Sequence, residues 1–366
     1  MDDDVKIIYS FNKRGYEADM FREEIAAASD RDYEFVPFNH DPYIEARRYP
    51  RAQLLDNLYY TRDAGLMRLY ADIEAMVGDL RADALMVDNY LPYHPDFLRK
   101  LNVFKVMRTT DGPVCAYDRD FAYAHAYDQV LFHGPAYSRD MTMEEKLRYV
   151  GAGDVRFWPM AVFSRMYDNA QTEETILSHR RDIDILFIGV PHRTKMPLLA
   201  TVKRAFRRRC VMRGFATWKQ NLYYNARYRF PGWMRPVAFE EYVPLYQRTK
   251  IGFNVHNRGD YTVGSYRLFE LPANGVMQIS DGGEYLDSFF NVGEEIVRHK
   301  GDDLVDKIRY YLDHDEERNR IALAGYRKVM REDLMKHRLR RAGELIEDGI
   351  RLKKARESGS FAASTT

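Results

Sequence analysis

Residues 183–188 read IDILFI, followed by GVPHRTKMP at 189–197 and LLATVKRAFRRR at 198–209. A six-residue apolar run broken only by Asp184 suits a parallel strand buried on both faces. The glycine, prolines and polar residues after it mark a loop. Good helix formers from about 197 to 208 predict a helix, with Pro197 in its first turn. Strand, loop and helix in that order form the unit of a doubly wound α/β sheet, which places residues 189–195 at the carboxyl end of a strand, where such sheets bind ligands.

The pattern extends in both directions. Downstream, residues 211–215, 251–255 and 276–279 read as strands, and 304–312, 316–330 and 334–354 as helices. Upstream, strands are predicted at 5–9, 33–38, 84–87, 104–107 and 129–132, and helices at 19–28 and 66–80. Leu69, Ile73, Met76, Val77 and Leu80 share one face of the last. The fold class expected is α/β, with two successive units of parallel sheet and the cleft between them as the default ligand site. The chain has 366 residues, enough for two such cores. The expected organisation is a first domain at 1–165 and a second at 166–336, with the polar stretch 161–180 holding the boundary. A helix at 337–356 is expected to cross back to the first domain. The tail 357–366 has disordered composition.

Composition narrows the function. A net charge of +1 gives no support to a nucleic-acid partner. The two cysteines, Cys115 and Cys210, show neither disulfide nor zinc spacing and suit a reducing cytoplasm. The opening residues MDDDVKII lack the basic and apolar regions of a secretion signal. No apolar run approaches the roughly 18 residues of a membrane span.

Residues 246–281 read YQRTKIGFNVHNRGDYTVGSYRLFELPANGVMQISD, and 285–330 read YLDSFFNVGEEIVRHKGDDLVDKIRYYLDHDEERNRIALAGYRKVM. The strand KIxxNxH, the turn RxFExxAxG, the segment FxxGxEIV and the helix YYL followed by ERxxIAxxG occur in that order. This stretch resembles the C-terminal domain of CgeB-type (spore-coat-like) glycosyltransferases. Phe187, Ile188 and Gly189 followed by Arg193 resemble that domain's first strand and loop. The resemblance implies the GT-B fold, two Rossmann-like domains of parallel sheet facing across a cleft, with a nucleoside-diphosphate sugar held by the second domain as donor substrate and no further cofactor. It implies transfer of that sugar to a saccharide, lipid-linked or protein acceptor, in polysaccharide or glycoconjugate synthesis. A location in the cytoplasm is expected, with the inner face of the membrane as an alternative. Another GT-B activity, such as a sugar-nucleotide epimerase, and an inactive sugar-nucleotide-binding protein remain as other readings.

The chemistry asks for cations against a leaving diphosphate. Arg193 and Lys195 stand in the loop at 189–195 with Gly189. The same residues also suit a solvated basic loop. Glu270 precedes Gly275 by five positions. In retaining GT-B enzymes that arrangement sets a carboxylate on the ribose hydroxyls, and the glycine turns the chain into the next strand. Position 262, where those enzymes carry a sugar-binding glutamate, is Thr262 here. Pairing of Glu270 with Arg267 at i,i+3 is the alternative. Gly264, Ser265 and Tyr266 open the helix that carries Arg267 and Glu270, with Ser265 as its expected N-cap and its first backbone N–H groups facing phosphate, so that Ser265, Tyr266 and Arg267 are candidates for donor binding. Asn254, His256 and Asn257 end the preceding strand and are candidates for the donor site.

An inverting enzyme would also need a general base from the first domain. Asp111, His94 and His133 each follow a predicted strand there, and each also suits a turn or a structural hydrogen bond. No metal site is expected. The basic tract at 203–209 reads as a helix face. The tract RYRFPGWMR at 227–235 suits a loop near the base or the acceptor, or a peripheral contact with a membrane.

Overall fold

A computed structural model describes residues 4–43, 52–88, 92–109, 120–134, 140–256 and 265–363. Asp111, Cys115, Asn257, Thr262 and Gly264 lie outside the described residues.

The chain divides into two compact units, Met1–Pro159 with Met335–Thr366, and Met160–Leu334. The first is built on six strands: β1 (Val5–Phe11), β2 (Tyr33–Asn39), β3 (Ala84–Asp88), β4 (Phe104–Arg108), β5 (Gln129–Phe132) and β6 (Asp154–Phe157). All pair in parallel, in the order β2-β1-β3-β4-β5-β6. The helix Ala64–Leu80 buries Leu66, Leu69, Tyr70 and Ile73, and its N-cap Asp63 accepts the Leu66 N–H. The helix Met335–Ala363 belongs to this unit. Tyr33 donates to Glu347 (3.1 Å), Gln129 to the Leu345 carbonyl (2.8 Å) and the Trp158 indole to the Arg338 carbonyl (2.7 Å). Contrary to the disordered composition from Glu357, this helix runs on to Ala363. Once a helix is nucleated, adding residues such as Glu357 and Ala362 costs little.

The second unit carries β7 (Ile183–Ile188), β8 (Cys210–Arg213), β9 (Thr249–Asn254), β10 (Met277–Ser280) and β11 (Val297–Arg298). They too are parallel, in the order β11-β10-β9-β7-β8. The core on one face is formed by Ile185, Phe187, Leu199, Val202, Ile251, Phe253, Met277 and Ile279, all buried. Leu186, Ile188, Tyr246, Leu271 and Val276 form a second cluster. The polar stretch 161–180 packs into this unit rather than linking domains, so the division falls between Pro159 and Met160. Val162 bridges to Leu334, and Asn274 donates to the Met166 carbonyl.

Candidate functional site

The carboxyl ends of β7, β9 and β10 lie side by side, and the residues after each strand form the site. After β7, the Gly189 N–H donates to the Arg213 carbonyl at 3.0 Å. The His192 carbonyl accepts from Lys195 and Met196 N–H, so residues 192–195 form a turn that leads into the helix Met196–Phe206. Lys195 is 6% exposed, and among the described residues its ammonium makes no hydrogen bond or ion pair. Burial pushes it down to about 8. The neighbouring Arg267 charge acts in the same direction and Asp281 opposes both. Arg193, expected to share this role, stands in solvent with its guanidinium 5.5 Å from the Tyr223 ring.

After β9, the Asn254 amide donates to Ser265 Oγ at 3.0 Å. The His256 backbone N–H is 3.0 Å from both Asp281 carboxylate oxygens, and His256 Nδ1 is 2.5 Å from Asp281 Oδ1. Burial pushes the Asp281 carboxyl up, but the hydrogen bonds of His256 and the charges of His256 and His299 outweigh it and leave it below the ordinary range. His299, after β11, accepts the Gly301 N–H at Nδ1 and donates from Nε2 to the Asn254 carbonyl.

The helix Arg267–Ala273 closes the site. Its N-cap is Tyr266 and has no side-chain cap. The expected cap, Ser265, is instead engaged through Oγ by Asn254, while its carbonyl accepts the Leu268 N–H. Tyr266 lies against the Phe163 ring, with centroids 5.6 Å apart. Arg267 Nε is buried without a partner among the described residues. A Cβ built on Gly189 would lie 3.7 Å from Arg267 Nε, so this guanidinium reaches over the β7 exit. Glu270 is 5% exposed and accepts the Tyr246 hydroxyl at Oε2, 2.7 Å away. Burial pushes its carboxyl up, against the Arg267 charge and the Tyr246 hydrogen bond. No ion pair within 4.0 Å joins Arg267 to Glu270, so their interaction is through space. Gly275 has φ +63°, and a Cβ there would fall 2.6 Å from Ile176, so both backbone and space call for glycine.

The structure thus gathers Gly189, Lys195, His256, Ser265 and Arg267 at one end of the sheet, while Glu270 lies further along the helix from Arg267, bonded to Tyr246, and Gly275 sets the turn after that helix. Asp281 and Tyr246 escaped the sequence reading. An acid directly after an apolar strand, as in QISD at 278–281, is the signal that could have found Asp281.

Beside this end, the β8 exit and the helix Trp218–Tyr228 border a groove of about 690 Å³ lined by Trp218, Asn221, Trp233, Met234 and Arg235. Trp218 is 60% and Trp233 51% exposed. Asn221 pins the loop, accepting the Met234 N–H at 2.8 Å and donating to the Met234 carbonyl at 3.2 Å. The tract at 203–209 is largely engaged. Lys203 donates to the Arg207 and Cys210 carbonyls, Arg204 to the Tyr228 carbonyl, and Arg209 pairs with Asp184.

In the first unit, His94 is the N-cap of the helix Pro95–Leu98 and stacks on Tyr59 with centroids 4.0 Å apart. Its Nδ1 accepts the Asp96 N–H and its Nε2 is 3.0 Å from Asp56, so both ring nitrogens are committed. A general base would have to release one of them. His133 is buried, with Nδ1 2.9 Å from the Thr109 carbonyl.

Residues 193–343 match the family model described as "Glycosyl transferase-like". The fold is GT-B, shared with solved glycosyltransferases. Sucrose-phosphate synthase from Thermosynechococcus elongatus superposes with a TM-score of 0.62 at 13% identity, over 94% of this chain and 98% of that one. A glycosyltransferase from Rickettsia africae gives 0.64 at 10% identity, over 95% and 99%. Anabaena HepE, solved with UDP and glucose, gives 0.59 at 8% identity, over 94% and 100%. A search of curated proteins found no match. The class is therefore a GT-B protein whose second half carries a glycosyl transferase-like domain.

Proposed function

We propose that the chain transfers a sugar from a nucleoside diphosphate to an acceptor hydroxyl, without a metal ion and with retention. The observation that carries this reading is the pair Lys195 and Arg267. Two cations without ion-pair partners among the described residues converge at the carboxyl ends of β7 and β9, one of them buried in spite of its charge. Desolvating an unpaired ammonium is costly, and a bound diphosphate would offset that cost. The glycosyl transferase-like match over 193–343 and the UDP bound by HepE support the same donor class.

As the bond from the sugar C1 to the diphosphate oxygen breaks, negative charge builds on the diphosphate, where Lys195 and Arg267 act most strongly. The acceptor hydroxyl adds to C1 on the same face and its proton passes to the departing phosphate oxygen. Glu270, with one carboxylate oxygen held by Tyr246, offers the other to the ribose diol. The groove at Trp233 suits the base.

The test is donor hydrolysis without acceptor, run on a panel of UDP-, GDP-, ADP- and dTDP-sugars in excess EDTA. Slow release of one nucleoside diphosphate supports transfer. Interconversion of sugars would favour the epimerase reading, binding without turnover an inactive protein. Loss of turnover restored by magnesium or manganese would overturn metal independence.

A further inference from the structure

His256 and Asp281 form a built pair that the reaction outlined above leaves unused. The parallel register sets Ser280 beside Asn254, so the next residues of the two strands emerge together. Asp281 then grips His256 twice, at its backbone N–H and at ring Nδ1. The His256 side chain is 6% exposed and that of Asp281 21%. His256 Nε2 is buried and, among the described residues, has no hydrogen-bond partner. His299, after the neighbouring strand, is by contrast bonded at both nitrogens. Around the pair, Lys195 feels the charges of both Arg267 and Asp281, and the charge of His299 acts on Asp281 as that of His256 does.

On the reading that this end of the sheet holds a diphosphate, we propose that His256 is its third donor and that Asp281 is the positioning residue that makes it one. The carboxylate takes the Nδ1 proton's hydrogen bond, so the ring cannot turn and Nε2 is the only nitrogen left to face the ligand. Its negative charge and that of the ligand favour the imidazolium, the form in which Nε2 also carries a hydrogen and donates it to a phosphate oxygen while Nδ1–H stays on Asp281. Asp281 also offsets part of the repulsion between Lys195 and Arg267 before the ligand arrives. No bond to His256 forms or breaks; it donates a hydrogen bond that shortens as charge collects on the leaving diphosphate.

The test uses amide side chains that copy one end of the imidazole each. In His256→Gln the amide nitrogen sits near the place of Nε2, and in His256→Asn near that of Nδ1. Calorimetry with inorganic pyrophosphate, UDP and GDP is run on both variants, on Asp281→Asn, and on the double variant Asp281→Asn with His256→Asn, after melting curves show that each is folded. His256→Asn is expected to weaken pyrophosphate roughly 10- to 100-fold, the worth of a hydrogen bond to a charged group, and His256→Gln to recover most of that. Asp281→Asn should weaken binding more when His256 is present than when it is Asn, the remainder in the Asn background being its direct effect on Lys195. Should His256→Asn bind pyrophosphate as wild type does, or Asp281→Asn act equally in both backgrounds, the pair is structural and the proposal falls. Lys195→Met separates the two readings. If it abolishes binding while the His256 variants do not, the donor site stands without this pair. If the wild type binds none of the three ligands, both readings fall. Should a variant not fold, His256→Gln against wild type decides alone, since loss equal to complete removal of the ring's contact contradicts a donor at Nε2.

Discussion

The Tyr246 hydroxyl donates to Glu270 Oε2 at 2.7 Å, and both side chains are buried. Tyr246 lies in a short helix before β9, whereas Glu270 lies in the helix after it, so the bond spans 24 residues and ties the two flanks of the strand together. It also tilts a balance. Burial raises the Glu270 carboxyl, while Arg267 and Tyr246 favour its ionised form. A folded-state value above the unfolded one means that the folded protein holds more protons in the window just above pH 4.5, so stability falls as pH rises through that window. Tyr246→Phe removes the donor and should destabilise by about 1.5–3 kcal/mol near neutral pH and less at pH 4, where the carboxyl is protonated. Glu270→Gln should flatten the pH dependence. Urea melts from pH 4 to pH 8 on the three proteins check this; parallel curves for wild type and Glu270→Gln would refute it.

Lys195 makes an opposite prediction. With its ammonium pushed down to about 8, the free protein loses this charge as pH passes 8, whereas a bound diphosphate holds it. Nucleoside diphosphate affinity should therefore fall above pH 8, by up to about tenfold per unit. Lys195→Arg, which stays charged, should bind with a flat profile, and Lys195→Met should be weak and flat. The free protein behaves the other way. Its folded state holds fewer protons than the unfolded chain between pH 8 and pH 10.5, so this group adds stability as pH rises through that window. Arg193→Ala should cost turnover about 100-fold if the exposed guanidinium swings from the Tyr223 ring onto the diphosphate. An unchanged kcat would leave the task to Lys195 and Arg267.

The strands were legible wherever both faces are buried. Residues 129–132 and 183–188 are β5 and β7 to the residue, because short, mostly apolar runs bounded by turns admit little else. β6 escaped because it is an edge strand, DVRF, with two charges and Phe157 40% exposed, so its period is masked. β11 has only two residues. The same contrast holds in the site. That His256, Glu270 and Gly189 follow strands or open helices is local information. That Asp281 meets His256, or Tyr246 meets Glu270, depends on which strands adjoin and in what register, and β9 pairs with β7 across 60 intervening residues. Burial separated Lys195 from Arg193, two cations that look equivalent in HRTK.

Gly214 and Gly189 give a prediction about the floor of the site. A Cβ on Gly214 would lie 2.0 Å from the Gly189 carbonyl oxygen, which is backbone and cannot rotate away. Overpacking typically costs about 1–3 kcal/mol, and here the β7 and β8 exits must part for the methyl to fit. Gly214→Ala should lose at least that much and weaken nucleoside diphosphate binding with it, because the loop to Lys195 starts at Gly189. Gly153→Ala, with open space around its Cβ, is the control. Equal melting temperatures for the two variants would contradict the contact.

The groove at Trp218 and Trp233 separates base from acceptor. If the base of the donor stacks there, Trp233→Ala removes one face of its slot, and base–aromatic stacking is worth about 1–3 kcal/mol. Affinity for a nucleoside diphosphate should then fall about 5- to 100-fold, whereas inorganic pyrophosphate, which has no base, should bind the variant as it binds wild type. Trp218→Ala should act in the same direction. If the groove instead receives the acceptor, neither ligand is affected, donor hydrolysis keeps its rate, and only transfer to an added acceptor slows. Loss of pyrophosphate binding would mean that Trp233 holds the loop through Met234 and Asn221 rather than the ligand, and Asn221→Ala should then reproduce it. Calorimetry with both ligands on the three variants distinguishes the cases.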